Sequence, residues 1–264
     1  MDWGLANRLS RILKPATGRT VMLAVDHGYF LGPTTGLEDP RRTLAPLLPY
    51  ADSLMLTRGV LRTSVPPQAD LPIVLRMSGG TSIHSELSHE GLTTAVEEAI
   101  RLNAAAITLS VFVGAPGERE TLLNLGKLVD EGVRHGIPVL AVTAVGRDMT
   151  RDARYLGLAC RICAEIGAHF VKTYYCDGFE EVVASTPVPL IVAGGKKTPE
   201  RDAIQLAWNA VRSGARGVDM GRNIFQSDAP VGMIRAVRAV VHDGVSVEDA
   251  YALYEREKGA AVGR

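Results

Sequence analysis

The sequence predicts a (β/α)8 barrel, a single domain over residues 1–264. Three observations predict it. Eight short, apolar, β-branched runs recur along the chain, and helix-like segments separate most of them. The runs are apolar at successive positions, as parallel strands buried on both faces require. No linker, short repeat or low-complexity tract interrupts the alternation.

The chain opens with MDWGLANRLSRILKPATG, which carries an acid near its front and lacks an apolar signal core. It reads as a short amphipathic helix over about residues 3–14. The eight strand candidates follow: TVMLAVD from Thr20, DSLMLT from Asp52, LPIVLRM from Leu71, AAAITLSVFV from Ala104, IPVLAVT from Ile137, AHFVKT from Ala168, VPLIVAG from Val188 and RGVDMG from Arg216. Among the helical segments, ERETLLNLGKLVDEGVRHG spaces its leucines and valines by three and four and stops at Gly136. TPERDAIQLAWNAVRSG starts with a threonine cap and Pro199 in its first turn, and ends at Gly214. SDAPVGMIRAVRAVVHDG repeats that design, and a last helix is expected over about residues 246–257. No helix is evident between the second and third runs. RTSVPPQAD there reads as a loop, and one irregular crossover is expected between Pro66 and Gly91. A doubly wound open sheet is the alternative, disfavoured by the strand count and by the lack of a G-x-G-x-x-G turn.

Composition excludes several function classes. With 29 acidic and 29 basic side chains the net charge is zero, so there is no electrostatic footprint for nucleic acid or an anionic membrane. No apolar run approaches the roughly 20 residues that span a bilayer. Three cysteines argue against a disulfide framework and for a reducing, cytoplasmic compartment. Cys160 and Cys163 have C-x-x-C spacing but lie mid-helix with no second pair, so they read as small core residues. The remaining histidines beyond His27 form no ligand pair, and no metal is expected.

In such a barrel, chemistry gathers at the C-terminal ends of the strands. Those ends carry Asp26-His27-Gly28, Arg58-Gly59, Arg76 with Ser78-Gly79-Gly80, and Ala144 to Arg147. Further on come Lys172-Thr173-Tyr174-Tyr175, Gly194-Gly195-Lys196-Lys197 and Gly221-Arg222-Asn223. Paired glycines let backbone N–H groups approach an anion, and an arginine adds charge. Gly194, Gly195, Gly221 and Arg222 are therefore the candidate phosphate site, against the plainer reading of a tight turn. Lys172 stands alone in an apolar run. An amine in apolar surroundings gives up its proton more readily, and cationic neighbours such as Lys196 or Arg222 push the same way. The neutral amine attacks a carbonyl to form a Schiff base. The plainer reading is a lysine that snorkels from a strand end. Asp26 is placed to shuttle protons or steady an iminium, or else only caps its loop. His27, Arg58, Arg76, Tyr175 and Lys196 are candidates for the pocket wall. Asp219, inside the eighth run, reads as a buried partner for a rim cation.

Taken together, AVDHGYFLGPTTGLEDP, LTRGVLRTSVPP, VKTYY, AGGKK and GVDMGRNIFQSD resemble the archaeal-type class I aldolase family, in the same large group as deoxyribose-phosphate aldolase. The resemblance runs from about Thr20 to the final helix. It implies a (β/α)8 barrel with Lys172 as the catalytic amine, Asp26 assisting at the carbonyl, and the glycine loops with Arg222 on phosphate. It also implies a ring-based homo-oligomer, a decamer. Family members that are fructose-bisphosphate aldolases or aminodideoxyheptulosonate synthases are expected to carry a tyrosine acid/base at the end of the fifth strand, where this chain reads VTAVGRDMTRD. A thiolytic cleavage needs that proton relay less, because the incoming thiol is the nucleophile. The expectation is therefore a thiolytic member acting late in phosphorylated autoinducer processing. It would take a phosphorylated small ketone as substrate and coenzyme A as co-substrate, with no resident cofactor. The rivals are a Schiff-base aldolase acting on a phosphorylated sugar and a phosphosugar-binding protein without catalysis.

Overall fold

Eight parallel strands close on themselves in the computed structural model, which describes residues 2–144 and 150–262. In chain order the strands are β1 (Thr20–Ala24), β2 (Ser53–Leu56), β3 (Ile73–Arg76), β4 (Ser78–Gly79), β5 (Gly91–Leu92), β6 (Ala106–Val111), β7 (Val139–Thr143), β8 (Phe170–Thr173), β9 (Leu190–Ala193) and β10 (Gly217–Met220). β4 and β5 form a separate antiparallel pair. The other eight run β1-β2-β3-β6-β7-β8-β9-β10 around the barrel, and β10 closes onto β1 with Thr20 opposite Gly217. Each of the eight apolar runs contains one of these barrel strands.

The pleat explains why the runs are apolar throughout. Met22, Met55, Val74, Leu140, Phe170 and Ile191 point into the barrel and pack on one another. Their chain neighbours, such as Leu23, Leu54, Leu75 and Val171, point outward under the helices. Each such side chain contributes about 1.5–3 kcal/mol by leaving water, so both faces of every strand favour closure. Ile12 is fully buried with the interior set. It comes from the first helix, Trp3–Ile12, whose Leu5 N–H is capped by Asp2 Oδ1 at 2.8 Å. This helix lies under the N-terminal ends of the strands, where Arg8 Nη1 donates to the Gly136 carbonyl at 2.9 Å.

The outer helices follow their stop and start signals. The helix Glu118–Arg134 is closed by Gly136 at φ +64°, and Glu200–Arg212 by Gly214 at φ +101°. In Ala153–Ile166, Asp152 Oδ1 caps the Tyr155 N–H at 2.8 Å. Cys160 and Cys163 are fully buried on that helix, and burial pushes the Cys160 thiol up to about 12. The last helix runs Val247–Val262.

One expectation fails. A helix, Arg58–Ser64, does fill the gap between β2 and β3, started by Thr57 Oγ1 accepting from the Val60 N–H. Its cap, Thr57, directly follows β2 and closes the second apolar run, which hid it in the strand pattern. Only the stretch after it, with Pro66 and Pro67, is loop. The irregular crossover joins β3 to β6, beginning inside the expected stretch and running on past Gly91. There the β4–β5 pair folds over the strand ends, fixed by Ser78 Oγ accepting the Ser110 N–H at 3.1 Å.

Candidate active site

Side chains alternate along a strand, so Phe170 and Lys172 both face the barrel axis while Val171 faces the helices. The same alternation carries Asp26, Arg76, Ser110 and Asp219 inward at the C-terminal end. There they line a cavity of about 220 Å³ together with His27, Tyr29, Glu90 and the glycine loops.

Lys172 is 9% exposed, and its Nζ lies 2.7 Å from Asp219 Oδ2. Burial pushes the Asp219 carboxyl up from its ordinary value, and the Lys172 charge pulls against it. Asp219 Oδ1 is buried with no hydrogen-bond partner among the described residues. A carboxyl held high beside an amine can receive the proton that the amine must lose before it attacks a carbonyl.

Asp26 has the opposite character. Burial works to raise it, but Arg76, His27 and Lys172 outweigh that and hold it below the usual carboxylate range. Arg76 donates from Nε and Nη2 to Asp26 Oδ2 at 3.0 and 2.8 Å, and from Nη1 to Ser110 Oγ at 3.0 Å. Its guanidinium sits 5.1 Å from the centre of the Tyr29 ring. Tyr29 and Ser78 each donate a hydroxyl to Glu90, to Oε1 and Oε2 respectively, both at 2.6 Å. The wall is thus one buried network running from Asp26 to Glu90.

Burial pulls His27 down to about 4, so its ring is neutral near pH 7. The ring stands edge-on to Phe225 at 5.7 Å. Gly221 is required below it: a Cβ there would lie 2.4 Å from the Ala24 carbonyl oxygen and 2.5 Å from His27 Cε1. Gly195, at φ +72°, has open space where its Cβ would project. Asn223, fully buried, ties the two loops together. Its Nδ2 donates to the Gly194 carbonyl at 2.7 Å, and its Oδ1 accepts from the Thr198 N–H at 2.9 Å. Arg222 Nε is buried with no hydrogen-bond partner among the described residues. The arrangement sets glycine backbone and a buried arginine N–H without a partner beside a paired lysine.

The family profile described as DeoC/LacD family aldolase matches residues 20–227. This chain belongs to that family. It is 55% identical over 260 residues to the 3-hydroxy-5-phosphonooxypentane-2,4-dione thiolase of Yersinia enterocolitica, across 98% of this chain and 89% of the relative. The protein of that name from Klebsiella pneumoniae is 56% identical over 259 residues, across 98% and 88%. Among solved structures, an archaeal fructose 1,6-bisphosphate aldolase superposes with a TM-score of 0.83 at 24% identity, over 91% of this chain and 100% of that one. The fructose-bisphosphate aldolase of Slackia heliotrinireducens gives 0.84 at 19% identity, over 96% and 90%. These two share the fold.

In this DeoC/LacD barrel the candidates divide. Lys172, Asp26, His27, Arg76, Gly194, Gly195, Gly221 and Arg222 all border the one cavity. Tyr175 does not: it is half-buried and packs its ring 5.4 Å from Phe179, while Tyr174 takes the place on the cavity wall. The reason is parity, since Tyr174 continues the inward alternation of Phe170 and Lys172. Lys196 is exposed and outside the lining, because Gly195 turns the chain outward there. Arg58 is exposed too and borders a separate hollow. Val145, Gly146 and Arg147 lie outside the described residues. Tyr29, Glu90 and Ser110 were missed. Ser110 has inward parity on β6, which is a readable signal, whereas Glu90 sits in an irregular segment with none.

Proposed function

We propose that this chain is a coenzyme A-dependent thiolase that cleaves 3-hydroxy-5-phosphonooxypentane-2,4-dione to acetyl-CoA and dihydroxyacetone phosphate. The observation that carries the reading is the buried Lys172–Asp219 pair, 2.7 Å apart, beside a glycine cradle and a buried arginine donor without a partner. Relatives of more than half identity from Yersinia enterocolitica and Klebsiella pneumoniae bear the name of that activity.

The 5-phosphate sits between Gly194, Gly195, Gly221 and Arg222, which brings the C4 ketone to Lys172. The amine attacks C4 and water leaves, giving an iminium, with Asp219 taking up and returning protons. The thiol of coenzyme A loses its proton and attacks the C2 carbonyl. The C2–C3 bond then breaks, the acetyl group departs on sulfur, and the electron pair flows through C3 into the iminium as an enamine. C3 takes a proton, and hydrolysis frees Lys172 and the phosphoketone. Asp26, kept ionised by Arg76, steadies the positive charge at C4. The same reading makes the enzyme a cytoplasmic, ring-based homo-oligomer in the late processing of a phosphorylated autoinducer.

The test is acetyl-CoA formation from the diketone, with and without coenzyme A, for wild type and Lys172→Ala. Product from the wild type alone, and only with coenzyme A, supports the thiolase. Coenzyme A-independent cleavage of a phosphorylated sugar, lost in Lys172→Ala, would replace it with the aldolase reading.

A further inference from the structure

A second hollow, of about 600 Å³, opens between the helix Arg58–Ser64 and the β4–β5 pair. Asp26, Tyr29 and Arg76 form the wall it shares with the reaction cavity. The two spaces differ in scale. At about 220 Å³ the inner cavity is smaller than the roughly 300–1,000 Å³ of whole ligand sites, so it suits a five-carbon phosphate and excludes a nucleotide-tailed thiol. The thiol must come from outside and meet the substrate where the two hollows adjoin.

The lining of the outer hollow leaves room for a slender, extended chain. Nothing lies within 4 Å of where a Cβ of Gly28 or Gly80 would stand, and Gly59 would meet only Thr57 Oγ1 at 3.8 Å. Bare backbone therefore faces the space and leaves it unobstructed by side chains, while the Gly28 carbonyl is taken by the Gly32 N–H. The threonine hydroxyls at its edge are already engaged, Thr63 Oγ1 on the Gly59 carbonyl and Thr93 Oγ1 on that of Met77. Arg58 stands exposed at the rim and makes no hydrogen bond or ion pair among the described residues. Its field reaches Glu98, which Arg62 and Arg101 already hold.

We propose that this outer hollow seats the pantetheine arm of coenzyme A, with Arg58 meeting the phosphates at its rim and the thiol reaching the wall formed by Asp26, Tyr29 and Arg76. The inference rests on the thiolase reading. It deepens that reading by assigning the co-substrate a place on the opposite side of the Asp26–Arg76 pair from the phosphate cradle.

The test measures KM for coenzyme A, for pantetheine and for the phosphorylated diketone in wild type, Gly59→Trp and Arg58→Glu, with thermal melts as the control for folding. Gly59→Trp fills the trough and is expected to raise KM for both thiols about tenfold or more, with the diketone KM within about twofold. Arg58→Glu is expected to raise KM for coenzyme A and leave pantetheine, which lacks the phosphates, unchanged. Should Gly59→Trp melt early, Arg58→Glu decides through that contrast between the two thiols. An active wild type with unchanged thiol KM in the folded variants overturns the subsite and leaves the thiolase standing. A wild type that forms no acetyl-CoA removes both.

Discussion

Lys172 and Asp219 meet at 2.7 Å although β9 runs between their strands. Lys172 pairs with Ile191 on β9, and Asp219 with Ala193 two residues further on, so the strand tilt brings the two side chains level. Layers in such barrels are filled from alternate strands, which turns an ion pair into a consequence of closure. Asp219→Asn keeps the shape and removes the proton acceptor. Its kcat is expected to fall about a hundredfold or more with a smaller change in KM. Steady-state kinetics reading a normal kcat would end the proposed role for Asp219.

Arg76 offers a stability test that is independent of any substrate. It is 4% exposed and holds Asp26, 5% exposed, through two hydrogen bonds to one oxygen. Arg76→Leu leaves that carboxylate buried without its partner, which is expected to cost about 3–5 kcal/mol in urea unfolding. The double variant Asp26→Asn/Arg76→Leu should recover part of the loss. Equal losses in the single and double variants would show that the pair itself is not the cause.

His27 makes a pH prediction. Its folded value is held at about 4, below the ordinary 6.5, so within that window the unfolded chain binds a proton that the folded chain does not. Stability from this residue is full above the upper value and is lost as pH falls toward the lower one. Asp26, depressed from 3.8, contributes in the same direction at more acid pH, whereas Asp219, raised from 3.8, loses contribution as pH rises. Subtracting the melting curves of His27→Gln from wild type isolates the histidine. The difference should open between pH 6.5 and about 4, and a flat difference would contradict the burial argument.

Two cradle glycines are expected to respond differently. Alanine at Gly221 collides with the backbone of Ala24, and about 1–3 kcal/mol of destabilisation follows. Gly195→Ala meets nothing, so only the φ of +72° opposes it, at about 1–2 kcal/mol. Its methyl would project into the open space where the proposed function seats the phosphate, so KM for the diketone should rise. Thermal melts together with KM separate the two effects.

The barrel was legible because each strand is buried on both faces, which writes it into the sequence as an unbroken apolar run. Lys172 was legible for the same reason, as a charge where the run allows none, and Asp219 as a carboxylate inside another. Of the two tyrosines the sequence offered for the pocket, Tyr174 lines it because two steps beyond Lys172 the alternation still points inward. The helix Arg58–Ser64 was hidden by its short length and by a cap, Thr57, that reads as the last residue of the apolar run. Glu90 was beyond reading. Its partners, Tyr29 and Ser78, stand 61 and 12 residues away, and only the folded β4–β5 pair brings the three together.

The packed interior side chains, with Ile12 among them, fill the barrel beneath the cavity, which makes the reaction chamber a cul-de-sac. Whatever sits on the inner glycines can leave only toward the open rim, and the molecule held deepest is the last able to leave. A phosphoketone seated on the inner glycines therefore departs after the thioester and blocks the next diketone while it stays. Product inhibition by the phosphoketone should then be competitive against the diketone, a kinetic signature set by the filled interior of the barrel.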